Sequence, residues 1–329
     1  MEKQNIPDPL PITIEQNKPR FIIVLTAVLA VSLSLFQMYI AGIDPLGLFY
    51  QRGIHLAGVM MLAFLVFPPF KNHKRGPLGW AVDLAFFGAA AYSGFYLIYN
   101  LDAIFSRAGF WDPMDIGVGI MTILILLEAC RRTVGLGMTA IGAIVLVYAF
   151  AGPRGALPWL NDWLPQVLQH RGYDVERVAA QMYLGQEGIF GIPLGVAATF
   201  VFMFVLFGAV LEVTGAGRFF IDLAFTLTGK KRGGPAKAAV VASATLGSIS
   251  GSAIANVVTS GAFTIPLMKK VGYSSEEAGG IEAAASTGGQ ITPPLMGAGA
   301  FLIAEYTRLP YLEILKVSVF PAILYFFTV

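Results

Sequence analysis

The run from Thr245 to Asn256 reads TLGSISGSAIAN, and a second run, STGGQITPPL, occupies Ser286 to Leu295. Both are tracts of Gly, Ser, Thr, Asn and Pro set inside otherwise apolar sequence. In a water-soluble protein they would read as ordinary surface turns. Here their flanks have the composition of membrane-embedded segments. Irregular backbone at membrane depth survives only where it is buried in protein or lines a wet cavity. These two tracts are therefore the first places to look for function.

The composition sets the class. The chain has 329 residues, 56% hydrophobic and 13% charged, with mean hydropathy +0.69. A soluble domain carries about 25% charged residues, so the expectation is an all-α polytopic membrane protein in contact with lipid. The net charge of +2 and the lack of a basic patch interleaved with aromatics exclude a nucleic-acid partner. Cys130 is the single cysteine, which excludes an intrachain disulfide and a Cys-clustered metal site. His55, His73 and His170 match no metal-ligand spacing, so no catalytic residue and no organic cofactor is expected.

Residues 1–20 are polar and Pro-punctuated, and read as a cytoplasmic tail. Phe21 to Ile40 has the length of a span, since ~20 apolar residues cross a ~30 Å hydrocarbon layer. Further spans are expected near Gly53–Phe67, Trp80–Tyr99, Met114–Ala129 and Val134–Ala151. Lys71, Lys74 and Arg75 crowd the second loop and Arg131 with Arg132 the fourth, against Arg52 and Arg107 alone in the first and third. The positive-inside rule then places the N-terminus, second loop and fourth loop in the cytoplasm. Residues 152–190 read as a polar extracytoplasmic connection that could hold an interfacial helix, and mark the domain boundary. Ile192–Val213 and Leu312–Val329 are two more inward spans. Arg218–Thr228 is too short to span. With the basic GKKRGGPAK after it, it reads as a helix lying on the cytoplasmic interface or as a buried connector.

From 235 to 270 the chain begins and ends beside basic clusters, so both ends are expected on the cytoplasmic side. The arms, Ala236–Leu246 and Ala255–Met268, would each reach ~17–20 Å at ~1.5 Å per residue. The segment is then a re-entrant hairpin with its tip at GSISGSAIAN, where helix C-terminal carbonyls and helix N-terminal amides converge and Ser248, Ser250, Ser252 and Asn256 add short polar groups. The plain alternative is that Ser252 only caps the second arm. From 276 to 305 a helix is expected to break at Gly288-Gly289 and Thr292-Pro293-Pro294. Each proline lacks an N–H, so the carbonyls of Gly289 and Gln290 should lose their donors and suit a hard cation. A Pro-kinked structural helix is the alternative. Half-helices paired with an interrupted hairpin are the pattern of secondary transporters. Among the acids, Glu128 has Arg131 and Arg132 as helix neighbours, Asp83 and Glu305 are expected at span ends, and Glu212 and Glu282 are weaker functional candidates. Gly135-Leu136-Gly137 reads as a helix-packing element, not a nucleotide loop.

GSISGSAIANVVTSGAFTIPLMKKVGY followed by STGGQITPPLMGAGAFLIAE resembles the large membrane subunit of TRAP transporters (tripartite ATP-independent periplasmic transporters). The five preceding spans, 21–151, resemble the small-subunit-like extension of fused permeases, and QITPPLMGAGAF is similar to the TAXI-type branch. The resemblance implies about eight transmembrane helices, one re-entrant hairpin and one broken helix. It implies a sodium-coupled, or in some members proton-coupled, elevator fed by a periplasmic TAXI-type substrate-binding protein, in a bacterial-type cytoplasmic membrane. It implies cation ligands at Ser248, Ser250, Gly251, Ser252, Asn256, Gly288, Gly289, Ile291, Thr292 and Pro293, with Thr259, Gln290 and Pro294 beside the substrate. The family's large subunit continues with a second repeat. Residues 191–329 are accordingly expected to be the first half of an inverted-repeat transporter, and the chain a fragment.

The implied substrates are small organic acids, with four-carbon dicarboxylates as the type. Two other classes compete. An intramembrane serine hydrolase would need a base near SISGS, and no histidine follows His170. A non-transporting scaffold would leave the polar mid-membrane tracts without a purpose.

Overall fold

The computed structural model describes residues 19–43, 46–70, 75–107, 109–229, 231 and 233–329. Most of the polar tail, Lys71, His73, Lys74, Lys230, Arg232 and the side chain of Glu212 lie outside the described residues. The chain divides into two compact units, Met1–Gly191 and Ile192–Val329. Among the described residues there is no β-strand, only an isolated bridge between Ala151 and Leu157.

The first unit contains α1 (Arg20–Gly42), α2 (Leu48–Val66), α3 (Pro77–Tyr99), the short α4 (Leu101–Ser106), α5 (Pro113–Thr133) and α6 (Leu136–Phe150). Proline opens α3 and α5 at a position whose N–H has no helical partner, so nothing is lost there. Met60 and Phe64 of α2, Ala90 of α3, and Ile125 and Ala129 of α5 form the buried core. A Cβ on Gly94 would stand 2.6 Å from the Ala57 Cβ, so α2 and α3 touch there with no room for a methyl. Among the described residues six helices are long and apolar enough to span: α1, α2, α3, α5, the run Ile192–Leu211 and the last helix. The expected span at Val134–Ala151 forms only as the 15-residue α6, about 22 Å long, because Gly135 at φ 116° starts the helix late.

Asp83 is not at an interface, as its place near a span end suggested. It is fully buried and ion-paired with Arg132, whose guanidinium lies 5.0 Å above the Phe64 ring and 5.2 Å above the Phe86 ring. Arg75 Nε stands 3.4 Å from the same carboxylate. Glu128 pairs with Arg131 and Arg132 at 2.7 Å each, the local helix pair the spacing predicts. His55 is buried with Nδ1 2.7 Å from Gln37 Nε2, and His170 Nδ1 accepts the Gly172 N–H, so both histidines are held in structural contacts.

The segment after α6 is not a loose connection. Two 3₁₀ turns lead to α7 (Val175–Ala179), capped by Asp174 accepting from the Arg177 N–H at 2.7 Å, and α7 runs on as a π-turn, Ala180–Leu184. The buried Tyr183 hydroxyl donates to the Ser93 carbonyl of α3 at 2.6 Å, and Gly119 of α5 lies against Ala179 and Tyr183. Arg52 reaches the Phe190 and Gly191 carbonyls.

In the second unit, α8 (Ile192–Val196) passes through a π-turn into α9 (Phe202–Val213). α10 (Ala216–Thr228) follows, with Ile221 and Ala224 packed on Ala242 and Leu246 while Phe219, Leu223 and Leu227 stay exposed. It is thus amphipathic and docked by one face, partway between the two expectations for it. Then come α11 (Gly234–Ser250), α12 (Ala253–Lys270), α13 (Ser275–Gly288), α14 (Ala298–Thr307) and α15 (Tyr311–Thr328). α13 starts with a reciprocal cap, in which Ser274 Oγ accepts from the Glu277 N–H at 3.1 Å and Glu277 Oε2 from the Ser274 N–H at 2.9 Å. At the other end, α11 and the end of α13 meet glycine to glycine. A Cβ on Gly289 would stand 2.5 Å from Gly247 Cα, and one on Gly247 2.4 Å from Gly289 Cα.

Two stability outcomes are expected. Arg132→Ala leaves the Asp83 carboxylate buried with its main partner gone and should cost ~3–5 kcal/mol, read as a lower unfolding temperature in detergent. Arg131→Ala, half-exposed, should cost under ~1 kcal/mol. Gly289→Ala must separate two backbones and should cost ~1–3 kcal/mol. Gly279→Ala, with nothing within 4 Å of the added methyl, should be neutral or stabilising by up to ~1 kcal/mol.

Candidate functional site

The hairpin turns in two residues. Gly251 takes the left-handed conformation at φ 60° and its N–H closes α11 on the Gly247 carbonyl at 2.9 Å. Ser252 is the N-cap of α12, its Oγ accepting from the Ala255 N–H at 3.3 Å. A C-terminal glycine and an N-cap serine in succession end one helix and start the next with no further loop. The expected long tip therefore shrinks. Ser248 and Ser250 lie in the last turn of α11, and the arms have 17 and 18 residues, so they extend about 25 and 27 Å.

The chain does break after α13, as a 3₁₀ turn at Gly289–Ile291 followed by a turn over residues 293–295 and Met296 at φ 51° before α14 begins. This break lies directly on the hairpin tip. The Leu295 N–H donates to the Ser248 carbonyl at 3.0 Å, and a Cβ on Gly251 would collide with the Met296 carbonyl at 1.9 Å. Gly288 meets the Tyr325 ring of α15, where a Cβ would come within 2.6 Å.

The carbonyls expected to lose their donors do not stay empty. Gly289 O accepts the Thr292 N–H at 3.3 Å and Gln290 O the Gly297 N–H at 2.7 Å. Gly288 O accepts the Thr292 hydroxyl at 2.7 Å. The chain doubles back after the 3₁₀ turn, so a residue beyond the prolines supplies the missing N–H. Pro294 O and Leu295 O both accept the Tyr311 hydroxyl, at 3.0 and 2.9 Å.

The sequence-predicted residues fall into two groups. Ser248, Gly251 and Gly289 take part in the backbone contact between tip and break, while Gly288 packs on the Tyr325 ring. Ser250, Ser252, Asn256 and Thr259 line a cavity of about 400 Å³ between α9, α10, α11 and α12. Its remaining lining is apolar, including Phe204 and Phe220, and among the described residues no lining residue is charged. Gln290, Ile291 and Pro294 are exposed, and Thr292 and Pro293 half-buried, at the far side of the break. An anion in this cavity would meet hydroxyls and the N-terminal amides of α12, and a cation the C-terminal carbonyls of α11.

A cluster beneath the cavity was not singled out as a unit by the sequence reading. Glu282 is fully buried between α11, α12 and α13. Its Oε1 accepts from Ser260, from Ser243 at 3.1 Å and from Ser286 at 3.2 Å, and its Oε2 from Thr264 at 2.5 Å. Asn256 joins this cluster to the cavity. It lines the cavity, donates from Nδ2 to the Ser243 carbonyl at 2.8 Å, and accepts the Ser260 hydroxyl on its own carbonyl at 2.7 Å. The available signal was spacing: Asn256, Ser260 and Thr264 recur every fourth residue on α12, as Glu282 and Ser286 do on α13, which puts each set on one helix face. The hydrolase alternative finds no base here. The Ser248 hydroxyl donates to the Thr245 carbonyl at 2.7 Å, and Ile192–Val329 contains no histidine. Among the described residues no three His, Cys, Asp or Glu side chains converge on a metal position.

Comparison with known proteins gives the same direction. The sequence pattern of the family described as "Tripartite ATP-independent periplasmic transporter, DctM component" matches residues 121–329. The chain is 27% identical over 176 residues to the 2,3-diketo-L-gulonate TRAP transporter large permease protein YiaN of Escherichia coli, covering 53% of this chain and 36% of that one. It is 38% identical over 91 residues to the C4-dicarboxylate TRAP transporter large permease protein DctM of Vibrio cholerae, covering 28% of this chain and 20% of that one. The chain thus spans well under half the length of these curated relatives. No solved structure matches. A matched stretch that contains the hairpin, the broken helix and the cavity identifies this chain as a member of the tripartite ATP-independent periplasmic transporter family, DctM component, a family of transporter permeases and not of enzymes.

Proposed function

We propose that the chain is part of the permease of a binding-protein-dependent secondary active transporter that moves small, dicarboxylate-like organic acids with a sodium gradient. The observation that carries this reading is the seating of the hairpin tip on the broken helix, Gly247 against Gly289, beside a cavity lined by Ser250, Ser252, Asn256 and Thr259. In this reading sodium is bound by residues of the tip, Ser248, Ser250, Gly251, Ser252 and Asn256, and of the break, Gly288, Gly289, Ile291, Thr292 and Pro293, all of which offer neutral oxygens, the donor type a hard cation takes. Thr259, Gln290 and Pro294 are placed nearest the substrate. The relatives named for 2,3-diketo-L-gulonate and C4-dicarboxylates support the organic-acid class.

In this reading a periplasmic binding protein of the TAXI type delivers the substrate. The permease sits in a bacterial-type cytoplasmic membrane with its N-terminus in the cytoplasm, and basic loops at Arg75 and at Arg131-Arg132 support that orientation.

The test is uptake into liposomes holding the complete permease, with its binding protein outside. An inward sodium gradient should drive accumulation, and an equal potassium gradient should not. Ser250→Ala and Asn256→Ala should each raise the sodium concentration for half-maximal uptake about tenfold, the loss of ~1.4 kcal/mol of binding. Unchanged sodium dependence in both variants would remove the tip from the ion site.

A further inference from the structure

We propose that Glu282 is a reversible proton-binding site, and that in the transporter proposed above its proton is taken up and released within the transport cycle. The inference rests on that reading only for its second half. The site itself stands on the geometry of α11, α12 and α13.

A carboxylate buried without a cation is costly unless its hydrogen bonds compensate. Among the described residues Asp83, Asp115 and Glu282 are fully buried carboxylates, and Asp115 is paired with Arg107. Asp83 has two arginines, whereas Glu282 has an ion pair with none among the described residues and is ringed by four hydroxyls. The charged and titratable groups on the elements packed against it all face elsewhere. Lys237 of α11 is exposed, as are Lys269 and Lys270 at the end of α12 and Glu276 and Glu277 at the start of α13. On α15, Glu313 and Lys316 pair with each other at the surface, the Tyr311 hydroxyl serves Pro294 O and Leu295 O, and the Tyr325 hydroxyl donates to Ala284 O. Its partners among the described residues are hydroxyls, which can donate or accept.

The hydroxyl collar fits both states. With Glu282 ionised, Ser243, Ser260, Thr264 and Ser286 each donate one O–H to it. With Glu282 protonated, the acid O–H donates to Ser260 Oγ. The Ser260 hydroxyl then turns to the Asn256 carbonyl, 2.7 Å away, and the Thr264 hydroxyl to the Ser260 carbonyl, 3.0 Å away. Each hydroxyl has one proton and two eligible acceptors, so the collar changes state by rotating O–H bonds with no movement of the helices. One proton enters from water, the carboxylate charge goes from −1 to 0, and the same proton returns to water. The entry is the cavity, through Asn256 and Ser260. Gly261 lets α13 come this close, since a Cβ there would stand 3.1 Å from Glu282 Cγ. Intramembrane acids placed like this mark ion pathways and proton relays.

Infrared difference spectra of the detergent-purified chain between acid and alkaline pH test the site without any transport measurement. A pH-dependent carbonyl stretch of a buried, protonated carboxyl is expected, and Glu282→Gln, which has the shape of the protonated form, should remove it. Ser260→Ala deletes one donor to the ionised form, so the band should persist to higher pH. This second variant decides the matter if the Gln variant does not fold. No such band in the wild type, its survival in Glu282→Gln, or an unmoved band in Ser260→Ala would each overturn the site. In liposomes with the complete permease and its binding protein, an inward pH gradient should stimulate uptake, and Glu282→Gln should abolish that stimulation. Uptake that answers to sodium but never to the pH gradient would refute the proton's place in the cycle while leaving the proposed transport function intact. A carboxyl band with no uptake at all would do the reverse.

Discussion

Backbone that leaves the helix inside apolar sequence must find its hydrogen-bond partners within the protein. The second unit is arranged around that constraint. Two helix interruptions are pressed together, and peptide groups find partners both across the contact, Leu295 N–H to Ser248 O, and within the break, Gly297 N–H to Gln290 O. The contact requires glycine at Gly247, Gly251 and Gly289, because a methyl at any of them would overlap backbone atoms of the opposing segment. The glycines that look like flexible punctuation in the sequence are therefore close-packing residues. Once α11 and the end of α13 touch at backbone distance, α12 is drawn in beside both, and the polar faces of all three helices have only one another to satisfy them.

The two units solve the burial of charge in different ways. In the first, Asp83, Glu128, Arg75 and Arg132 form a dense ionic group covered by Phe64, Phe86 and Trp80. A fixed pair of this kind defines register and penalises any change of charge. In the second, hydroxyls surround Glu282, and hydroxyls donate or accept as required. The first arrangement suits a part that stays put and the second a part whose charge changes.

Much of this was legible in the sequence, and the misreadings share a cause. Fold class, the two interruptions, the Glu128 pairs and the positions of the long spans followed from composition and local spacing, whereas Val134–Ala151 forms only a 15-residue helix. Asp83 was placed at an interface because its partner Arg132 is 49 residues away, a separation that no helix pattern reports. The carbonyls of Gly289 and Gln290 were expected to stand free because the prolines remove local donors, while the replacement for Gln290 comes from Gly297 on a returning chain. The tip looked long because Gly and Ser weaken a helix in isolation, yet α11 holds its form to Ser250 against the broken segment. The polar set around Glu282 was visible as residues four apart on two helices, but their convergence needs the third helix, which contributes Ser243.

The hairpin's length also bears on where the chemistry sits. Its base is marked by Lys237 on one arm and Lys269 with Lys270 on the other, all exposed, and packed by Ala239, Met268 and Ala278. Arms of about 25 and 27 Å rising from that basic end cross most of a ~30 Å hydrocarbon layer, farther than the half-depth that shorter arms would give. Glu282, which meets α12 between Ser260 and Thr264, lies partway along the arms, between the basic base and the tip. Along α12 the polar residues run from Ser252 at the tip through Asn256, which lines the cavity, to Ser260, which donates to Glu282. That order of cavity, Asn256, Ser260 and Glu282 ties a binding space whose described lining carries no charge to a buried acid whose partners among the described residues are hydroxyls.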